Sequence, residues 1–173
     1  GNADRAPAFD AGAFELPKSP PIANAGANRT VYPGQLITLS GTLSSDPEGA
    51  PLTYQWSIIS QPSGSDIILT GINTAASAFT PLFLGDYNIQ LIVSDGQFSS
   101  APSIVRITAV NRGPTANAGG PYTGMVGAPV QFSGAGTDPD GDAIIFSWNF
   151  GEGGTGSGRT PAHTYAAIGT YTI

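Results

Sequence analysis

One stretch of this chain occurs twice. Pro21-Ile-Ala-Asn-Ala-Gly26 returns as Pro114-Thr-Ala-Asn-Ala-Gly119, and an offset of 93 holds without a gap as far as Ser40-Gly41 and Ser133-Gly134. One residue then drops out, and Asp46-Pro47-Glu48-Gly49 answers Asp138-Pro139-Asp140-Gly141. Further on, Tyr54-Gln-Trp56 answers Phe146-Ser-Trp148, Phe79-Thr80 answers His163-Thr164, and Gly85-Asp-Tyr87 answers Gly169-Thr-Tyr171. Repetition at this spacing means one folding unit used in tandem. A unit of about 90 residues can bury its own core, since sandwich domains run to about 100 residues.

The background residues suit strands. Only 10% of the chain is charged, while 24 Gly and 15 Pro punctuate it. That profile disfavours long helices and favours short strands joined by turns. No apolar run of about 18 residues occurs, so no membrane-spanning helix is predicted. The net charge is −6 and the six basic residues are scattered. Such a chain cannot neutralise a phosphate backbone, which excludes nucleic acid as a partner. Cysteine is absent, which excludes disulfides, thiolate metal sites and thiol nucleophiles. Gly1-Asn-Ala-Asp4 has neither the basic start nor the apolar stretch of a signal peptide, and reads as a mature or trimmed start.

Residues 1–20 lead into Pro17-Lys-Ser-Pro-Pro21 and read as an extended tether carrying Phe9, Phe14 and Leu16. Residues 21–111 form the first expected domain and residues 112–173 the second. In the first, alternation and turn residues predict strands at Thr30–Tyr32, Leu36–Gly41, Leu52–Ile59, Ile67–Leu69, Ala76–Thr80, Tyr87–Val93 and Ile104–Val110. Tyr87, Ile89, Leu91 and Val93 share one face of their strand, and Asp95-Gly96 is a strong turn pair. The expected fold class is all-β: two tandem Ig-like antiparallel β-sandwiches. Trp56 and Trp148 stand where a sandwich buries one large aromatic. Tyr87 and Tyr171 stand where a tyrosine corner would bond back to the preceding loop. Asn111-Arg-Gly-Pro114 reads as a short hinge that leaves the units little freedom.

Taken together, Pro-x-Ala-Asn-Ala-Gly, Asp-Pro-(Asp/Glu)-Gly, aromatic-x-Trp and Gly-x-Tyr resemble the PKD (polycystic kidney disease) domain family. Its members are Ig-like sandwiches repeated in surface proteins and appended to secreted bacterial enzymes. The second copy is the closer match, with Trp148-Asn-Phe-Gly-Glu-Gly153 near the family's Trp-x-Phe-Gly-Asp-Gly and with His163-Thr-Tyr165. The first is divergent: Trp56-Ser-Ile-Ile59 lacks that signature, and Phe79-Thr-Pro81 stands at the His-Thr-Tyr place. The resemblance implies spacing, mechanical linkage, and protein or polysaccharide contact rather than a reaction. The second copy also reads as C-terminally truncated. It is expected to lack its last strand and to leave an unpaired edge and an apolar groove open to strand exchange.

Catalytic chemistry finds little footing. His163 is the only histidine, so a zincin motif is excluded, and no Gly-x-Ser-x-Gly elbow accompanies it. Its simplest role is at a strand end, bonded to a neighbouring loop. The run Gly151–Gly158 lacks the Lys and the following helix of a phosphate cradle and reads as a hairpin loop. Carboxylates carry more weight. Asp138, Asp140 and Asp142 crowd three acids into five residues, as a hard cation wants. By the family resemblance, calcium would bind near the domain start, with oxygen from Asn117 and, in the first copy, from Asn24. The first copy keeps only Asp46 and Glu48, with Ala50 at the third place. The alternative is an Asx-turn loop with solvated charges. The favoured function is a non-catalytic extracellular structural or adhesion module: a spacer, or a protein- or polysaccharide-binding fragment, joined to other domains of one parent protein. The alternative is an accessory module of a secreted hydrolase, touching its substrate through Tyr32, Phe98 and Tyr122.

Overall fold

The computed structural model describes residues 18–173, and no residue among them is helical. The tether expected over residues 1–20 falls outside the described residues as far as 17, and Phe9, Phe14 and Leu16 with it. The chain divides into two compact units between Ala109 and Val110.

Among the described residues the first unit has six strands: β1 (Arg29–Val31), β2 (Ile37–Ser40), β3 (Thr53–Ser60), β4 (Ala76–Phe79), β5 (Gly85–Ser94) and β6 (Ser103–Ala109). One sheet runs β1-β6-β5-β3, and β2 pairs with β4 in the other. Alternation decides which side faces in. Along β5, Tyr87, Ile89, Leu91 and Val93 are fully buried while the intervening residues are partly exposed. On β6, Val105, Ile107 and Ala109 face the same core, and Ile37, Leu39 and Phe79 close it from the β2–β4 side. Two features depart from the expected plan. β1 runs parallel to β6, with Arg29 opposite Ile107, in an otherwise antiparallel unit. Parallel neighbours need a long crossover, and here nearly the whole unit separates the two strands. Ile67–Leu69, expected as a strand, joins no ladder, and only the following residue, Thr70, makes an isolated bridge with Ala78. The Gln61 side chain accepts the Ile67 N–H at 3.2 Å, so a ladder partner is replaced locally.

The second unit is built from three-residue strands: β7 (Thr115–Asn117), β8 (Pro129–Gln131), β9 (Ala135–Thr137), β10 (Ser147–Asn149), β11 (Thr155–Ser157) and β12 (Ala162–Thr164). They form three antiparallel pairs, β7–β9, β12–β8 and β10–β11. Aromatic packing does what β-branched alternation does in the first unit. Phe132, Trp148 and Phe150 are buried, with ring centroids of Phe132 and Phe150 5.0 Å apart. Beside this core lies an open groove of about 870 Å³ lined by Tyr122, Val130, Phe132, Tyr165, Tyr171 and Ile173.

The repeated Ser-Gly pair has a shared packing reason. A Cβ on Gly41 would lie 3.1 Å from the Tyr54 ring, and one on Gly134 would lie 3.2 Å from the Phe146 ring. Those rings are repeat partners, so each copy needs a bare backbone where its aromatic crosses.

Candidate functional site at the acidic turns

Shared Asn, Trp and Tyr residues of the two copies serve capping and packing. Asn24 and Asn117 each accept the N–H of the glycine two residues on, at 2.9 and 2.8 Å. Those glycines, Gly26 and Gly119, have φ of +87° and +75°, a backbone region that favours glycine. The indole N–H of Trp56 donates to the Thr74 carbonyl at 3.0 Å, and that of Trp148 to the Gly158 carbonyl at 2.8 Å. The Tyr87 hydroxyl donates to the Phe83 carbonyl at 2.9 Å, and the Tyr171 hydroxyl to the Ala167 carbonyl at 3.0 Å. Both reach back four residues, the bond expected of a tyrosine corner.

The acidic turns follow the same rule. Asp138 Oδ1 accepts the N–H groups of Asp140 at 2.8 Å and Asp142 at 3.1 Å. Asp46 Oδ1 accepts those of Glu48 at 3.0 Å and Ala50 at 2.9 Å. Each is an Asx cap across a glycine of positive φ, +82° at Gly141 and +76° at Gly49. Asp46 Oδ2 is shielded and has no hydrogen-bond partner among the described residues.

The carboxylate two residues on is held by the chain that leads into its unit. Asp140 Oδ1 accepts from Arg112 Nε at 3.0 Å and from Nη2 at 2.7 Å, while Oδ2 accepts the Arg112 backbone N–H at 2.6 Å. Nη2 also donates to the Pro139 carbonyl at 2.9 Å. The side chain of Asp140 keeps 13% of its exposure and that of Arg112 36%, so the pair is half shielded. These side-chain bonds, followed by the backbone N–H, hold the Asp140 carboxyl below its ordinary range. Asp142 Oδ2 accepts from Asn111 Nδ2 at 2.8 Å.

Of the residues expected to bind calcium, Asp138 and Asn117 cap backbone turns, Asp140 is bonded to Arg112 and Asp142 to Asn111. Among the described residues, no group of three or more acidic or histidine side chains is placed to hold a metal ion. The sequence reading missed Arg112, and the repeat could not flag it, because its counterpart 93 residues earlier is Ser19.

His163 is a packing residue. Its ring stacks on Phe150 at 4.4 Å and meets the edge of Tyr165 at 4.7 Å. Nε2 lies 2.7 Å from Glu152 Oε1 in the glycine-rich loop, a loop bond as expected, although His163 stands at the middle of β12 and not at its end. Burial, then the charge of Glu152, raises the pKa of the Tyr165 hydroxyl, which donates to the Phe150 carbonyl at 3.1 Å. Of the three aromatics expected to face a ligand, Tyr32 and Phe98 are exposed. Tyr122 is not: it packs edge-on against Phe132 at 4.8 Å, and its hydroxyl donates to the Ala118 carbonyl at 2.8 Å. The sequence did not reveal a separate apolar patch on the first unit. Leu36, Ile68, Leu82 and Phe83 stand exposed around a cavity of about 310 Å³.

Small all-β sandwiches whose repeated residues cap turns and fill cores define a class: tandem immunoglobulin-like modules. The chain belongs to the PKD domain family. The model described as PKD domain matches residues 111–173, and that described as K319L-like, PKD domain matches residues 25–109. Over 135 residues the chain is 32% identical to the dyslexia-associated protein KIAA0319 of Homo sapiens, spanning 75% of this chain and 12% of that protein. Over 64 residues it is 39% identical to collagenase ColQ1 of Bacillus cereus (strain Q1), spanning 36% of this chain and 7% of the collagenase. The solution structure of the PKD domain from KIAA 1837 protein superposes with a TM-score of 0.44 at 26% identity, covering 54% of this chain and 89% of that one. The chain thus spans a small part of the length of the curated relatives it matches. No helix among the described residues is long and apolar enough to cross a membrane.

Proposed function

We propose that this chain is a non-catalytic extracellular module, acting as a spacer or adhesion segment between other domains of a larger surface or secreted protein. One observation carries the reading: the shared Asn, Asp, Trp and Tyr side chains of both copies are engaged within their own units as turn caps, indole bonds and tyrosine-corner bonds. These bonds hold each side chain in a structural role, and none of them is the nucleophile–base pairing that catalysis would require.

A second reading is supported by the match to a collagenase over 64 residues. In it, the chain is an accessory module that holds a secreted hydrolase on its substrate, with Tyr32 and Phe98 as surface contacts. The groove of the second unit adds a place for an extended strand. Each strand there has one ladder partner, and an added strand gains main-chain hydrogen bonds on a free edge. Sedimentation of the full chain with insoluble collagen, chitin and cellulose separates the readings. A spacer stays in the supernatant with all three. Retention on one of them, reduced by Phe98→Ala, supports the accessory module.

A further inference from the structure

In both copies the third residue of the Asp-Pro-acid-Gly turn accepts a backbone N–H from the segment that leads into its unit. Arg112 donates to Asp140 at 2.6 Å, and Ser19 donates to Glu48 at 3.2 Å. The donors are repeat partners at the offset of 93, and the acceptors are partners in the turn motif. We infer that this acid is a latch fixing the leading segment onto its sandwich, and that in the second unit Arg112 serves as its built-in cation.

The turn explains why the acid is available. Asp138 caps the backbone at Asp140 and Asp142, so the Asp140 carboxylate is free to face away from its own loop. A planar guanidinium with two N–H groups on one carboxylate oxygen, and the backbone N–H on the other, satisfies both oxygens. An arginine side chain stays charged at all relevant pH, so the latch needs no ion from solution. In the first unit Ser19 supplies the backbone donor alone, and the latch there is the weaker of the two. The inference goes beyond the proposed function and stands whatever the module binds.

Trypsin reads the latch directly, because the Arg112–Gly113 bond is a trypsin site only when the Arg112 side chain is released. Arg159–Thr160, in the same unit, is the internal reference for general unfolding. In the full chain, Asp140→Asn is expected to speed cleavage after Arg112 roughly ten-fold relative to cleavage after Arg159, as local opening governs the cut. Asp140→Glu, which restores the residue type of the first unit, should return most of the protection. Millimolar calcium or a chelator should change the wild-type rate less than two-fold. Equal acceleration at both sites would mean that Asp140 only supports the fold, and would overturn the latch. Protection that appears with calcium and vanishes with chelator would overturn the built-in cation.

Discussion

Asp95 shows how one carboxylate can hold a turn. Its Oδ1 accepts the N–H groups of Gln97 at 2.7 Å and Phe98 at 2.6 Å, closing the hairpin that leaves β5. Those two backbone bonds, that of Phe98 the larger, lower its pKa from the ordinary 3.8. A group whose pKa is depressed by folding stabilises the fold fully above its unfolded value and ceases to do so as pH falls through the folded one. The Asp95 contribution should therefore be intact at neutral pH and disappear in acid, below the ordinary carboxylate range. An NMR titration should show the Gln97 and Phe98 amide signals moving together in that window. In Asp95→Asn, which keeps an oxygen acceptor but cannot titrate, the same amides should stay still. The Asp95-Gly96 pair was legible because this chemistry is local in sequence. The role of Arg112 was not, since its partner lies 28 residues away and its repeat counterpart is a serine.

At the level of strands, legibility followed alternation. The face of β5 could be read because Tyr87, Ile89, Leu91 and Val93 recur at every second position, and the fold buries that set. In the second unit the period of two is carried by rings, Phe146, Trp148 and Phe150, through a strand of only three residues, and the other core rings, Phe132 and Tyr165, come from separate segments. Where rings make the core, glycines make room for them, and this can be measured. A Cβ on Gly134 would lie 2.8 Å from Trp148 Cζ2, with the Phe146 ring 3.2 Å away. Neither contact is the loose end of a flexible chain, so the ring system would have to move. Gly134→Ala is expected to lower stability by about 1–3 kcal/mol, the range for overpacked cores. Urea unfolding followed through Trp148 fluorescence would show it as a lower midpoint at unchanged slope. A variant as stable as the parent would mean that the Trp148 ring is free to shift.

For the molecule as a whole, the repeat disguises a difference between its halves. The first unit buries a cluster of fourteen apolar side chains, running from Ala25 to Ala109, whereas the second fully buries Phe132, Trp148 and Phe150. Stability scales with apolar surface removed from water, so two units sharing motifs need not share a melting point. A linker as short as Asn111–Pro114 does not itself make their unfolding cooperative. Each unit carries one tryptophan, which gives each its own reporter. In Trp56→Phe the remaining signal comes from an unaltered second unit, and in Trp148→Phe from an unaltered first unit. The denaturation midpoint read through Trp148 is expected to lie well below that read through Trp56. Coincident midpoints would mean that the smaller core borrows stability from the larger, and that the tandem pair unfolds as one cooperative body.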